Sequence, residues 1–96
     1  MNYRNRPLLD LAHHLPCMAC GQGTASEPAH SNAGEHGKGM SLKSHDCYFA
    51  ALCHDCHAEL DQGKRMSKDE RREFWRRAFD KTLLELWRRG WLQVKR

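Results

Sequence analysis

The chain has 96 residues, of which 40% are hydrophobic and 29% are charged, and its formal net charge is +4. This length suits one domain, and no apolar run approaches the roughly 18–20 residues that a membrane span needs. Because no secretion signal opens the chain, we expect a cytoplasmic protein with reduced thiols.

The first half of the chain is predicted to contain little regular structure. Residues 1–16 form an arm, either extended or with one helical turn, whose leucines pack on the core. Pro16 ends the arm and leads into Cys17-Met-Ala-Cys20-Gly21, where glycine permits a tight turn. Residues 24–46 are rich in Gly, Ser and Asn and read as loop, with one short strand near 27–31. A second short strand is expected near 47–52, where the chain is apolar.

The second half is predicted to be helical. A short helix follows Cys56 and ends at Gly63. Ser67 and Glu70 form a capping box at the start of a helix of about 22 residues, which Gly90 ends in a C′ position. Apolar residues at helical spacing predict its buried stripe: Phe74, Trp75, Ala78, Phe79, Leu83, Leu86 and Trp87. Residues 91–94 are expected to fold back as a short strand.

Cysteine spacing predicts a metal site. Four of the five cysteines form two Cys-x-x-Cys pairs, Cys17/Cys20 and Cys53/Cys56, and Cys47 is left over. Each Cys-x-x-Cys pair is a zinc knuckle, and two knuckles in a cytoplasmic chain indicate a tetrahedral zinc site. Four thiolates close its coordination sphere. The zinc is therefore expected to be structural. The neighbouring His13 and His14 are alternative ligands.

Basic residues concentrate in the last third of the chain. Residues 1–65 hold six Lys/Arg against seven Asp/Glu, whereas residues 66–96 hold ten against five. A basic helix beside a near-neutral zinc domain favours a polyanionic partner. The same charges would also suit a helix face that is simply solvated.

Histidines and carboxylates suggest a second site. His57 and Asp61 lie four residues apart, on one face of the short helix, and could share a Mg²⁺ or Mn²⁺ ion. His30 lies in the segment between the two knuckles, as does Asp46. We assign a function to His30 and His57, and ordinary surface or hydrogen-bonded loop positions to three others: His36, His45 and His54.

Four sequence segments together resemble a known family. They are Cys17-x-x-Cys20-Gly21, Pro28-Ala29-His30-Ser-Asn, Gly37-Lys-Gly39 with Lys43-Ser-His-Asp46, and Leu52-Cys53-His-Asp-Cys56-His57-Ala-Glu-Leu-Asp61. In this order they resemble the HNH, or ββα-metal, endonucleases in their zinc-bound form, in particular the small prophage nucleases of the YbcO group. The resemblance covers about residues 17–63.

The resemblance implies a catalytic role for three residues. His30 matches the family's general base, His57 its metal-ligand histidine, and Asp46 lies roughly at its orienting Asn. The family usually has Asp or His immediately before the base, and this chain has Ala29. The second ion would therefore need Asp61, Asp46 or a loop histidine. Phosphate contacts are assigned to Lys38, Lys43, Arg76 and Arg77.

The sequence thus predicts a small α+β fold in a single domain, with a zinc-held ββα-metal (HNH-like) core and a long C-terminal α-helix. The arm spans 1–16, the core 17–63, and the basic helix with its tail 64–96. The expected function is metal-dependent hydrolysis of DNA, with structural Zn²⁺ and catalytic Mg²⁺ or Mn²⁺. The alternative is a non-catalytic zinc module of prophage origin that binds nucleic acid or protein. A thiol redox protein fits less well, because redox folds carry one Cys-x-x-Cys before a helix.

Overall fold

A computed structural model describes residues 2–23 and 25–95 and shows a small α+β fold. Its elements, in chain order, are α1 (Arg6–Asp10), a 3₁₀ turn (Leu11–His14), β1 (Glu27–His30), a 3₁₀ turn (Gly34–His36), β2 (Phe49–Leu52), α2 (His54–Gln62) and α3 (Lys68–Arg88). The predicted α+β class and long C-terminal helix are confirmed.

Strands β1 and β2 form a two-stranded antiparallel sheet in which Glu27 pairs with Leu52 and His30 pairs with Phe49. Both lie where strands were expected. Helix α2 ends at Gly63 as predicted, but it begins at His54, two residues before Cys56, because Cys53 is its N-cap. Residues 27–62 therefore run strand, strand, helix.

All four residues of β2 are buried, because the strand lies between two apolar clusters. Ala50 and Leu52 face one cluster, with Trp75 and Ala78 of α3. Phe49 and Ala51 face the other, where α1, the first 3₁₀ turn and Leu86 pack. A strand buried on both faces reads as a continuous apolar run, and this explains the sequence Tyr-Phe-Ala-Ala-Leu.

The ends of α3 are those that the sequence predicts. Ser67 Oγ accepts the Glu70 N–H at 3.1 Å, and a Glu70 carboxylate oxygen accepts the Ser67 N–H at 2.8 Å. Such a box satisfies two amide donors that the first helical turn leaves open. At the other end Gly90 has φ +73°, a left-handed conformation that glycine adopts without strain.

The predicted apolar stripe of α3 is only partly correct. Leu83 and Trp87 are 37% and 48% exposed, whereas Thr82 is 1% exposed. The Thr82 hydroxyl accepts the Ala51 N–H at 3.0 Å and donates to the Ala78 carbonyl at 2.7 Å. A polar residue is buried here because it satisfies the edge of β2, which hydrophobic spacing cannot reveal.

The strand expected at 91–94 is wrong. The amides of Trp91 and Leu92 both donate to the Leu86 carbonyl, so this segment closes the end of α3 instead of pairing with a strand. Val94 beyond it is 76% exposed.

The N-terminal arm packs on the core as expected, through Ala12 and Leu15, but it is helical over nine residues. Before α1, residues 2–5 lie along the loop 37–46. Asn2 donates its side-chain amide to the Gly37 and Lys43 carbonyls, and the Asp46 amide donates to the Tyr3 carbonyl. This contact fixes Asp46 from the far end of the chain.

Candidate functional site

The four paired cysteines lie at one point, as the sequence predicts. The Sγ atoms of Cys17, Cys20, Cys53 and Cys56 all lie within 4.8 Å of one another. Cys20 Sγ and Cys53 Sγ are 3.8 Å apart. Zinc–sulfur bonds of about 2.3 Å give a tetrahedron whose sulfur–sulfur edge is about 3.8 Å. These residues can therefore hold a zinc ion with little movement.

Backbone amides donate hydrogen bonds to two of the four sulfur atoms. Cys17 Sγ accepts the amides of Ala19 and Cys20 at 3.4 and 3.5 Å, and Cys53 Sγ accepts the Cys56 amide at 3.5 Å. Gly21, at φ +80°, closes the first turn by donating to the Cys17 carbonyl. The glycine therefore has the role in the tight turn that its position predicts.

The thiols of the cluster differ in acidity. Burial tends to raise the pKa of Cys17, but amides of the two knuckles and the Cys20 thiol lower it to about 6. Burial and the neighbouring sulfurs raise the pKa of Cys56.

The remaining cysteine and the alternative ligands lie outside the cluster. Cys47 is exposed. His13 Nδ1 is 2.9 Å from the Ser26 carbonyl oxygen, and the His14 ring packs edge-on against Trp91. Among the described residues, the cluster of possible metal ligands therefore contains the four cysteines and neither His13 nor His14.

His30 and Asp46 form the first histidine–carboxylate pair. His30 is the last residue of β1, and its Nε2 is 2.9 Å from Asp46 Oδ1. The His30 side chain is 18% exposed and that of Asp46 only 6%. Within the described residues, His30 Nδ1 makes no hydrogen bond to the protein. The imidazole is held by one nitrogen, and the other is free of protein partners there.

Two further groups hold Asp46. Arg4 Nη1 is 3.0 Å from Oδ1, and the Asn5 amide donates to Oδ2 at 2.7 Å. Burial alone would raise the pKa of Asp46, but the hydrogen bonds from His30, Asn5 and Arg4 lower it. Our sequence analysis missed Arg4 and Asn5, because no local pattern relates residues about forty positions apart.

His57, Asp61 and Glu27 form the second site. His57 Nε2 is 3.1 Å from Asp61 Oδ2, so the spacing of four residues brings the two side chains together as expected. His57 Nδ1 is 2.6 Å from Glu27 Oε1, and Glu27 Oε2 is 3.5 Å from His54 Nδ1. An imidazole between two carboxylates makes this site net acidic.

Glu27 is a residue of this site that the sequence motifs do not include, although strand alternation relates it to Ala29. Alternate residues of a strand share a face, so Glu27 and Ala29 lie on the same side of β1. Ala29 has no exposed surface and packs in the core, where Trp75 Nε1 donates to its carbonyl at 2.8 Å. Position 29 therefore faces the protein interior, and the carboxylate near His57 comes from two residues earlier.

The two histidine sites lie at opposite ends of β1 and share no side chain. In residues 2–23 and 25–95, no hydrogen bond or ion pair joins His30 or Asp46 to His57 or Asp61. The four cysteines form the one group of three or more possible metal ligands found in the same residues.

The four residues predicted to contact phosphate differ in how free their side chains are. Lys38 donates its Nζ to the Gly39 carbonyl at 2.8 Å, and Lys43 is exposed. Arg76 is exposed on α3, but Arg77 pairs with Glu73 at 3.1 Å. Arg77 is therefore less available for an anion than its neighbour.

The three histidines to which no function is assigned lie at surface or hydrogen-bonded positions. His36 Nδ1 is 2.6 Å from Ser31 Oγ, and its ring stacks on Tyr48 at 4.1 Å. His45 Nδ1 accepts the Tyr3 amide at 2.9 Å. His54 is 82% exposed.

A family model described as "Protein of unknown function (DUF968)" matches residues 1–83. The chain belongs to this family. The match covers the four-cysteine cluster, both histidine sites and most of α3, so these features lie within the matched region. No curated protein and no solved structure matches the chain. Among the described residues, none of the helices has the length and apolar character needed to cross a membrane.

Proposed function

We propose that this protein is a metal-dependent endonuclease of the HNH type that hydrolyses phosphodiester bonds of DNA. The observation that carries the proposal is the His30–Asp46 pair at the end of β1, in a strand–strand–helix unit whose helix begins at a four-cysteine cluster. A buried carboxylate that fixes one imidazole nitrogen is the arrangement that a general base requires.

His30 is the proton acceptor in this proposal. When Asp46 Oδ1 accepts the hydrogen of Nε2, the lone pair of the imidazole is on Nδ1. Nδ1 then takes a proton from a water molecule that attacks phosphorus. Asp46 orients the ring and stabilises the imidazolium that results. Arg4 and the Asn5 amide keep Asp46 ionised in place.

A basic side chain near His30 binds the phosphate. Lys43 is exposed in the loop that Arg4 contacts through backbone carbonyls, whereas the charge of Arg4 is already paired with Asp46. The charge of Lys43 offsets the charge that develops on the phosphoryl oxygens. Arg76 on α3 extends the basic surface along the nucleic acid.

The second histidine site is where the chain could hold the divalent ion. His57 Nε2 and Asp61 offer an imidazole nitrogen and a carboxylate oxygen on one side of the ring, and Glu27 holds the other ring nitrogen as an outer partner. When bound, such an ion would stabilise the charge on the leaving oxygen. His57 and Asp61 would then share the ion in place of their direct 3.1 Å contact.

The zinc cluster is structural in this proposal. Four thiolates leave no open position for water or substrate. Its place between residues 17–20 and α2 fixes the start of the helix that carries His57.

The second candidate is a binding module without catalysis. Ala29 favours it, because this position faces the core and provides no ligand for an ion. The discriminating experiment is nicking of supercoiled plasmid by purified zinc-loaded protein, with and without Mg²⁺ or Mn²⁺. The nuclease proposal expects ion-dependent nicking that His30→Ala abolishes and that Cys47→Ser leaves unchanged. Binding without nicking at any ion concentration would support the module.

A further inference from the structure

A groove separates the loop 31–36 from the first three turns of α3. Its lining contains no residue of either histidine site. Its volume is about 440 Å³. Leu60, Trp75 and Phe79 provide its apolar lining, and polar and charged side chains border it. It begins at Ser31, the residue that follows His30.

One border of the groove is a row of cations. Lys68, Arg72 and Arg76 are four residues apart, so they lie in a line along α3, and all three are exposed. In residues 2–23 and 25–95, none of them lies within 4.0 Å of a carboxylate, in contrast to Arg77 with its Glu73 partner.

The charges around the groove leave it net positive. Arg71 also lines it and donates to the Gly63 carbonyl, which fixes its side chain. Against these four cations stand two carboxylates, Glu35 on the loop and Asp80 at the end of the row. The free cations therefore favour an anionic ligand lying along α3.

The lining of the groove is aromatic and held in place. The rings of Trp75 and Phe79 stack with centroids 4.9 Å apart and planes 8° apart. The hydrogen bond from Trp75 Nε1 to the Ala29 carbonyl fixes the indole to β1, and the His36 ring lies 5.7 Å from it on the loop side. Phe79 is only partly buried, so an aromatic surface borders the groove.

We propose that this groove binds an unpaired nucleotide of a single-stranded nucleic acid, with its base against Phe79 and its phosphates along Lys68, Arg72 and Arg76. Proteins that hold single strands combine a positive groove with aromatic side chains on which bases stack. A duplex keeps its bases inside and could reach only the cations of the border. This inference rests on the proposed nuclease function and narrows its substrate to DNA with an unpaired segment beside the cleaved bond.

The first test measures binding by fluorescence anisotropy, on zinc-loaded protein without Mg²⁺ or Mn²⁺. Three labelled probes of about ten nucleotides are compared, a length within the usual range of single-strand sites. They are oligothymidine, the same backbone with abasic positions, and a hairpin duplex. We expect oligothymidine to bind about fivefold or more tightly than the abasic probe, since each stacked base contributes at least that factor.

The second test separates the groove from general charge. Arg72→Gln with Arg76→Gln should weaken oligothymidine binding and reduce the slope of log affinity against log salt by about 1.4, the value for two contacts to a single strand. The matched control is Lys81→Gln with Arg88→Gln, which removes the same charge from exposed positions on the other side of α3. Phe79→Leu should reduce the difference between the thymidine and abasic probes and keep the salt slope.

Three results would overturn the groove assignment. They are equal weakening of binding by the two double variants, equal affinity for the thymidine and abasic probes, and tighter binding of the hairpin. Binding needs no divalent ion, so selective binding without cleavage would support the groove while contradicting the nuclease. Plasmid cleavage that Phe79→Leu leaves unaffected, with no preference for the thymidine probe, would do the reverse.

Discussion

The two ends of β1 carry the same residue types in opposite electrostatic settings. At one end His30 meets a single carboxylate, which is 6% exposed and already paired with Arg4. At the other end His57 lies between Glu27 and Asp61, whose side chains are 38% and 44% exposed.

This difference decides which histidine suits which role. With Asp46 neutralised by Arg4, the surroundings of His30 carry little net charge, and a phosphate can approach. The two carboxylates beside His57 repel a phosphate but attract a cation. The comparison therefore supports the proposed roles, proton transfer at His30 and ion binding at His57, although both are histidines next to a carboxylate.

The largest expected effect comes from removing the support that both ends share. Structural zinc contributes on the order of 10 kcal/mol to folding in small domains, so Cys53→Ser should unfold the protein or release the metal. Circular dichroism with metal analysis checks this. Cys47→Ser is the matched control, because Cys47 is exposed outside the cluster. A Cys53→Ser protein that is folded and holds one zinc per chain would contradict the assignment.

The next effect should distinguish the two histidines. His57→Ala should lower the apparent affinity for Mg²⁺ or Mn²⁺ at least 10–100-fold, the loss seen even for outer partners of metal ligands. Excess Mn²⁺ should therefore restore part of the cleavage. Cleavage assays across a metal titration, with zinc content measured in parallel, test this.

Asp61→Ala should behave like His57→Ala, and His30→Ala should show no rescue. If excess metal restores His30→Ala and leaves His57→Ala inactive, the roles of the two ends are reversed.

A smaller effect concerns stability and pH. The folded-state pKa of Asp46 lies below the ordinary value of 3.8, so its ion pairs and hydrogen bonds stabilise the fold above that value and are lost as the pH falls through the lowered pKa. Asp46→Asn should cost about 2 kcal/mol at neutral pH, the usual effect of losing hydrogen bonds to a charged group.

Chemical denaturation at several pH values measures this difference. The gap between wild type and Asp46→Asn should narrow as the pH falls below the ordinary carboxyl range. Glu27→Gln is the comparison at the other end of β1, and it should cost less because Glu27 is more exposed. A gap that grows on acidification would contradict the sign.

Local signals predicted much of this fold. The Ser67–Glu70 box, Gly63 and Gly90 indicate the ends of the helices, and the Cys-x-x-Cys spacing indicates the four-cysteine cluster. Each of these depends on residues within a few positions of one another. The burial of Thr82 could not be predicted, because it depends on the hydrogen bond with β2. The strand predicted at 91–94 is wrong because an apolar segment after a helix also suits a turn that closes the helix.

The candidate site was only half predictable for the same reason. The His57–Asp61 contact follows from helical spacing, but the His30–Asp46 contact needs the antiparallel register of β1 and β2. Arg4 reaches Asp46 only because residues 2–5 lie on the loop 37–46. Glu27 could be predicted from strand alternation, because Glu27 and Ala29 lie on the same face of β1 and Ala29 itself offers no ligand.

The central claim is that His30 is a general base, and one measurement tests it most directly: the pH dependence of metal-dependent plasmid nicking by wild type and His30→Ala. Wild-type activity should rise with pH in the range where histidine loses its proton and then level. His30→Ala should be lower by roughly 10²–10⁴-fold, with its zinc and fold retained. Nicking that persists in His30→Ala with the same pH dependence would show that the proton is accepted elsewhere.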